Sequence, residues 1–170
     1  MDDAVDNRLA ELERRIAALE SARLPPQDQV LPEGVDPEAF FALQALKERY
    51  PAPGAVLYTG SVTLPDDRQL DWQYGRTTPD VLAADWSARA SALAALGHPV
   101  RLTLLREILH GRTTVSALSE VEGLGTSGQI YHHLRQLTAE GWLHAPSRGA
   151  FAVPPTRVVP LLAILVALER

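Results

Sequence analysis

Between Thr114 and Gly141 the chain carries a pattern that leaves few folds open. Thr114 precedes a short apolar stretch, Val115 to about Val121, and suits the N-cap of a short helix. Gly123-Leu124-Gly125 supplies a turn, and Thr126-Ser127 caps a longer helix that continues to Glu140 before Gly141. Within it Ile130, Leu134 and Leu137 recur at i, i+4 and i+7, which assigns them to one buried face. A short helix, a glycine-bearing turn and a longer helix make the helix-turn-helix layout.

The flanks extend this unit. Residues 80–96 read as one helix ended by Gly97. His98 then serves as N-cap and Pro99 as the first residue of a second helix, whose apolar side holds Val100, Leu102, Leu104, Leu105 and Ile108. After the helix-turn-helix, Trp142–Ala145 and Ala150–Val153 flank the turn Pro146-Ser147-Arg148-Gly149 and predict a short hairpin, with Trp142, Phe151 and Val153 on its packed side. A last helix closes the chain. The expected fold is mostly α with small β: a winged helix-turn-helix domain over 81–170, preceded by a short coiled coil, a helix and a β-hairpin.

The face of the longer helix opposite Ile130 predicts the chemistry. At about 100° per residue, Gly128, Gln129, His132, Arg135 and Gln136 point away from the core, with Tyr131 at the flank. No Asp or Glu stands between Thr126 and Ala139, although the chain as a whole has a net charge of −5. Amide, imidazole and guanidinium groups read base edges in a major groove, and a helix N-terminus favours a phosphate. Thr126, Ser127, Gly128, Gln129, Tyr131, His132, Arg135 and Gln136 are therefore the expected DNA-binding residues. Arg148, at the hairpin tip, joins them as a contact to phosphate or minor groove.

Three stretches carry a resemblance: Leu96-Gly97-His98-Pro99-Val100-Arg101-Leu102, the run from Gly128 to Leu137, and Glu140-Gly141-Trp142-Leu143. Over roughly residues 85–170 the chain resembles ArsR-family winged-helix regulators. The resemblance implies a homodimer whose first and last helices form the interface and whose paired recognition helices enter successive major grooves. The final segment suits that role, because Val158, Val159, Leu161, Leu162, Ile164, Leu165, Val166 and Leu168 leave almost no polar face. Leu161, Leu162, Leu165 and Leu168 are the expected dimerisation residues there. Metal sensing is not expected. Family members that sense arsenic or cadmium use thiolates, and this chain has no cysteine; members that sense zinc use ligands on the last helix, where only Glu169 is offered. His132 and His133 are adjacent and diverge on a helix, so they do not chelate one ion. The expectation is a regulator with no cofactor.

The N-terminal half has its own organisation. Val5, Leu9, Leu12, Ile16 and Leu19 are spaced 4, 3, 4, 3, a coiled-coil seam over 1–24 that predicts further self-association through Leu9, Leu12, Ile16 and Leu19. Pro25, Pro26 and Pro32 make 25–35 a stiff linker. Over 36–80, Asp36 caps and Pro37 begins a helix to about Arg49. Two alternating segments then flank Pro65-Asp66-Asp67, giving a β-hairpin at roughly 55–75. Val56, Tyr58 and Val62 share one face of the first strand, and Leu70, Trp72 and Tyr74 one face of the second. Two strands need a helix or another chain to cover them. Trp72 and Tyr74 make this hairpin the place for an unidentified ligand or protein partner.

Charge and composition bound the function classes. Residues 1–85 hold 16 acidic and 8 basic residues, whereas 86–153 hold 6 Arg against 4 Glu, so the acidity belongs to the N-terminal half. Asp2, Asp3 and Asp6 do not suit a secretory signal, and the longest apolar run is too short to span a bilayer, so no membrane partner is expected. No phosphate loop, nucleophile elbow or paired ligand motif speaks for an enzyme. The expectation is a cytoplasmic, nucleoid-associated regulator of transcription that binds double-stranded DNA as a homodimer or higher oligomer. The alternative is an adaptor that uses a winged helix to bind protein.

Overall fold

The computed structural model describes residues 40–169 together with Arg8, Glu11, Leu12, Arg14 and Arg15. The chain divides into two compact units, 1–42 and 43–170. In the first, the five described residues before position 40 are helical. Glu11 pairs with Arg14 at 2.9 Å and Arg15 at 3.4 Å, the i+3 and i+4 spacing that supports a helix. Leu12 is exposed. The other expected seam positions, Leu9, Ile16 and Leu19 with Val5, lie outside the described residues, as do the linker and the Asp36 cap.

From Phe41 onward the chain is mostly helical with one small antiparallel sheet. The order is α1 (Phe41–Arg49), β1 (Ala55–Thr63), β2 (Gln69–Thr77), α2 (Thr78–Leu82), a 3-10 turn (Ser87–Arg89), α3 (Ala90–Leu96), α4 (Pro99–Leu109), α5 (Val115–Ser119), α6 (Ser127–Ala139) and α7 (Pro155–Ala167). The hairpin forms where the alternation places it and extends two residues further. Its turn is built by Pro65-Asp66-Asp67. Leu64 C=O accepts from Asp67 N–H at 2.9 Å, and Asp67 takes a left-handed φ of 61° before Arg68 pairs back to Leu64. A three-residue loop of this kind keeps both strands in register.

The register sets Tyr58 opposite Tyr74, Gly60 opposite Trp72 and Val62 opposite Leu70, so the expected apolar face forms. The hairpin packs on α7 of the same chain. Gly60 shows how closely: a Cβ there would lie 2.8 Å from Val159 Cγ1. Val159 is 2% exposed, and a β-branched side chain has few ways to retreat. We expect Gly60→Leu to cost about 1–3 kcal/mol through overpacking. Thr59→Val, at an exposed neighbouring position, should stay within about 0.5 kcal/mol. Denaturant midpoints of the two variants measure this; equal midpoints would contradict the seating of the hairpin on α7.

The core is built by Leu104 and Leu105 of α4, Leu118 of α5, Ile130, Leu134 and Leu137 of α6, Leu143, and Val158 and Leu161 of α7. The three predicted α6 positions are all fully buried. Glu107 is the one buried charged residue among those described. Arg106 donates to it through Nε and Nη2 at 3.1 and 2.9 Å, and Arg112 donates from the following loop. The Arg106 guanidinium first, with Arg112 beside it, holds this carboxyl below its usual range against the opposing effect of burial.

Two expected elements differ. The helix read over 80–96 is interrupted, because Asp85 turns its carboxylate onto Ser87 N–H at 2.9 Å and Ser87 Oγ at 2.6 Å. Such a local bond competes with the helical ladder. The Trp86 indole N–H donates to Val81 C=O at 2.8 Å and fixes the break. The hairpin read over 142–153 is reduced to a single bridge, His144 with Ala152, whose two hydrogen bonds are each 2.9 Å. Thr114 bridges Ala150, so the residue before α5 lies beside the same segment. Trp142 and Val153 are buried as expected, and Phe151 is half-buried.

Candidate nucleic-acid interface

The site begins with how α6 starts. Gly123 and Gly125 both take left-handed φ, +84° and +83°, and between them Leu124 turns into the core. Thr126 has the extended backbone of an N-cap. Its Oγ1 accepts from Gln129 N–H at 3.4 Å, while Gln129 Oε1 accepts from Thr126 N–H at 2.8 Å. This reciprocal pair is a capping box. It redefines Gln129, expected as a base reader. Bidentate reading of adenine needs the same carbonyl oxygen that the backbone occupies here.

Gln136 also departs from the outward face. It is half-buried or less exposed than its neighbours on no account of chance: its Oε1 accepts from Arg101 Nη1 at 2.6 Å. Arg101 bonds in addition to the carbonyls of Ala94, at 2.7 Å, and Ala95, so one guanidinium ties the end of α3 to the middle of α6. The division is helical. Gln129, His133 and Gln136 fall at i, i+4 and i+7 on the flank facing α3 and α4, whereas Gly128, His132 and Arg135 form the corresponding outward row. Helical spacing assigns the core row correctly, but it treats the flank with Gln129 and Gln136 as solvent-facing.

The remaining expected residues are placed together. Thr126, Ser127, Gly128, Tyr131, His132 and Arg135 are exposed on α6 and its cap. Ser127 Oγ lies 3.4 Å from Ser119 Oγ, joining the ends of α5 and α6; Ser119 carries no sequence signal for this role. Arg135 forms no side-chain hydrogen bond or ion pair among the described residues. Arg148 is likewise exposed, in a turn where Gly149 has φ +79°. The carboxylates nearest in sequence are Glu120 and Glu122 before the turn, and Glu140 after α6, which accepts from Ser91 Oγ at 2.8 Å.

His133 is different in kind from His132. Its Nδ1 is buried without a hydrogen-bond partner, and its ring lies against that of His98 with centroids 4.7 Å apart. His98 is held by its own cap, Nδ1 accepting from Val100 N–H at 3.2 Å. Burial, then the neighbouring His98, Arg101 and His132, lowers the His133 pKa from its ordinary value. His133 thus stays neutral beneath an outward His132. Among the described residues no three His, Asp or Glu side chains come together to hold a metal ion.

The expected dimerisation residues on the last helix divide. Leu161 is buried in its own chain's core and Leu162 packs against that core, so neither faces outward. This corrects their assignment: the apolar character of positions 158–162 is used by the core on one side and, through Val159, by the hairpin on the other. Leu165, Val166 and Leu168 remain exposed at the end of α7, as does Leu93 on α3. Among the described residues no helix is long and apolar enough to cross a membrane. No family model matches the chain, and neither curated proteins nor solved structures give a match.

Proposed function

We propose that residues 81–170 form a winged helix-turn-helix of the ArsR type, and that the chain regulates transcription by binding double-stranded DNA as a homodimer. The observation that carries this reading is the exposed row of α6. A helix with a firmly capped start presents Ser127, Gly128, Tyr131, His132 and Arg135 outward, with no carboxylate along its length. Small residues at the first turn let backbone N–H groups approach a phosphate, and Arg135 further along reaches base edges. Thr126 is the cap, and Gln129 and Gln136 orient the helix instead of reading bases. Arg148, in the turn beyond the His144–Ala152 bridge, serves as a backbone contact.

The homodimer rests on the uncovered Leu93, Leu165, Val166 and Leu168. Apolar residues of this size on the two helices that the family resemblance assigns to an interface favour a second copy as their cover. Two α6 helices related by a twofold axis would then address half-sites about one turn of duplex, roughly 34 Å, apart. With no cysteine in the chain, the reading includes no thiolate metal sensor.

Selection of bound fragments from a random duplex pool, followed by a salt titration on the selected sequence, tests the reading. The expected result is a linear fall of log Kobs with log salt, its slope about −0.9 for each phosphate neutralised. Failure to retain any duplex at about 50 mM salt would overturn it and favour the protein-binding adaptor.

A further inference from the structure

The hairpin has a second feature that DNA binding does not use. Where β2 meets α2 and the start of α7, a cleft of about 430 Å³ opens, a size suited to a small ligand. Tyr74 and Trp86 stand in it largely exposed, beside Val81 and Ala84. The Trp86 ring is held in place by its N–H bond to Val81 C=O. Three guanidiniums, of Arg76, Arg89 and Arg157, line the same cleft.

Their charge is not matched locally. Among the described residues, none of the three makes a side-chain hydrogen bond or ion pair. Asp85 is the single carboxylate in the lining, and its Oδ1 already accepts from Ser87 N–H and Oγ. Arg76 and Arg157 are half-buried, and Arg157 is planted over the Trp142 ring at 5.0 Å. A guanidinium does not shed its proton, so charges partly withdrawn from water call for an anion. Aromatic walls beside them call for a flat apolar body.

The geometry points to a binding site for a small aromatic carboxylate between the hairpin and the start of α7. The ring stacks between Tyr74 and Trp86, and the carboxylate accepts from the arginines. Such a site does not depend on whether the chain binds DNA.

Titration of the full chain with 2-naphthoate, followed by calorimetry and tryptophan fluorescence, tests it. The expected result is saturable one-to-one binding, with the uncharged 2-naphthamide at least about tenfold weaker, the loss of one charge-assisted contact. The double variant Arg76→Gln/Arg89→Gln should weaken naphthoate by at least the same factor while leaving thermal unfolding unchanged. Arg157 is left intact because it also packs on Trp142. Equal affinity for naphthoate and naphthamide, undiminished binding by the double variant, or no saturable binding would each overturn the assignment.

Discussion

Leu134→Ala is expected to lower the stability of the chain by about 2–5 kcal/mol. Leu134 is 0% exposed and sits in the middle of α6, between Ile130 and Leu137 in the buried row. Truncation removes the isobutyl end of the side chain from water-free packing. It leaves a cavity that helices anchored at both ends collapse into only in part. The upper half of the range applies if α4 and α5 hold their positions. The measurement is the denaturant midpoint at an unchanged m-value. A loss below about 1 kcal/mol would mean that α6 is not the central element of this core.

One residue further along the same helix, the expected effect reverses. Arg135→Ala should leave the denaturant midpoint in place and weaken binding of the selected duplex by about 1–3 kcal/mol, roughly 5- to 150-fold. Arg135 is exposed and makes no side-chain bond among the described residues, so nothing in the folded chain depends on it. A guanidinium that reads guanine O6 and N7 loses both bonds at once on truncation. Competition between the selected duplex and a scrambled one separates base reading from phosphate attraction, since only the first changes with sequence. Unchanged discrimination in Arg135→Ala would remove α6 as the recognition helix. Gln129→Ala supplies the contrast: loss of the capping box should cost about 0.5–2 kcal/mol of stability with little change in base discrimination.

The fold was legible where its causes are local. The caps at His98, Thr114 and Thr126 accept the backbone N–H groups expected of them, because each depends on a side chain and an amide two or three positions away. The hairpin turn formed around Pro65-Asp66-Asp67 for the same reason. The break at Asp85 is local as well, and the Asp-x-Ser spacing that produces it is present in the sequence; helical periodicity on both sides masks it. Arg101, by contrast, gives no signal. Its partner Gln136 lies 35 residues away, and only packing of α3 against α6 brings them together.

Periodicity and residue type are enough to establish that α6 has a buried row and a carboxylate-free opposite side, that its start is capped, and that the last helix is apolar almost all round. Each of these depends on residues within one or two helical turns. What covers each apolar surface, and which polar groups remain free, is settled by packing in three dimensions. Seating of the hairpin on α7, through the space that Gly60 leaves for Val159, takes up a surface that the sequence assigns to a partner chain. The bonds to Thr126 and Arg101 remove Gln129 and Gln136 from the outward set. A pattern of residue types records which faces must be buried, but the identity of the covering group depends on distances between segments far apart in the chain.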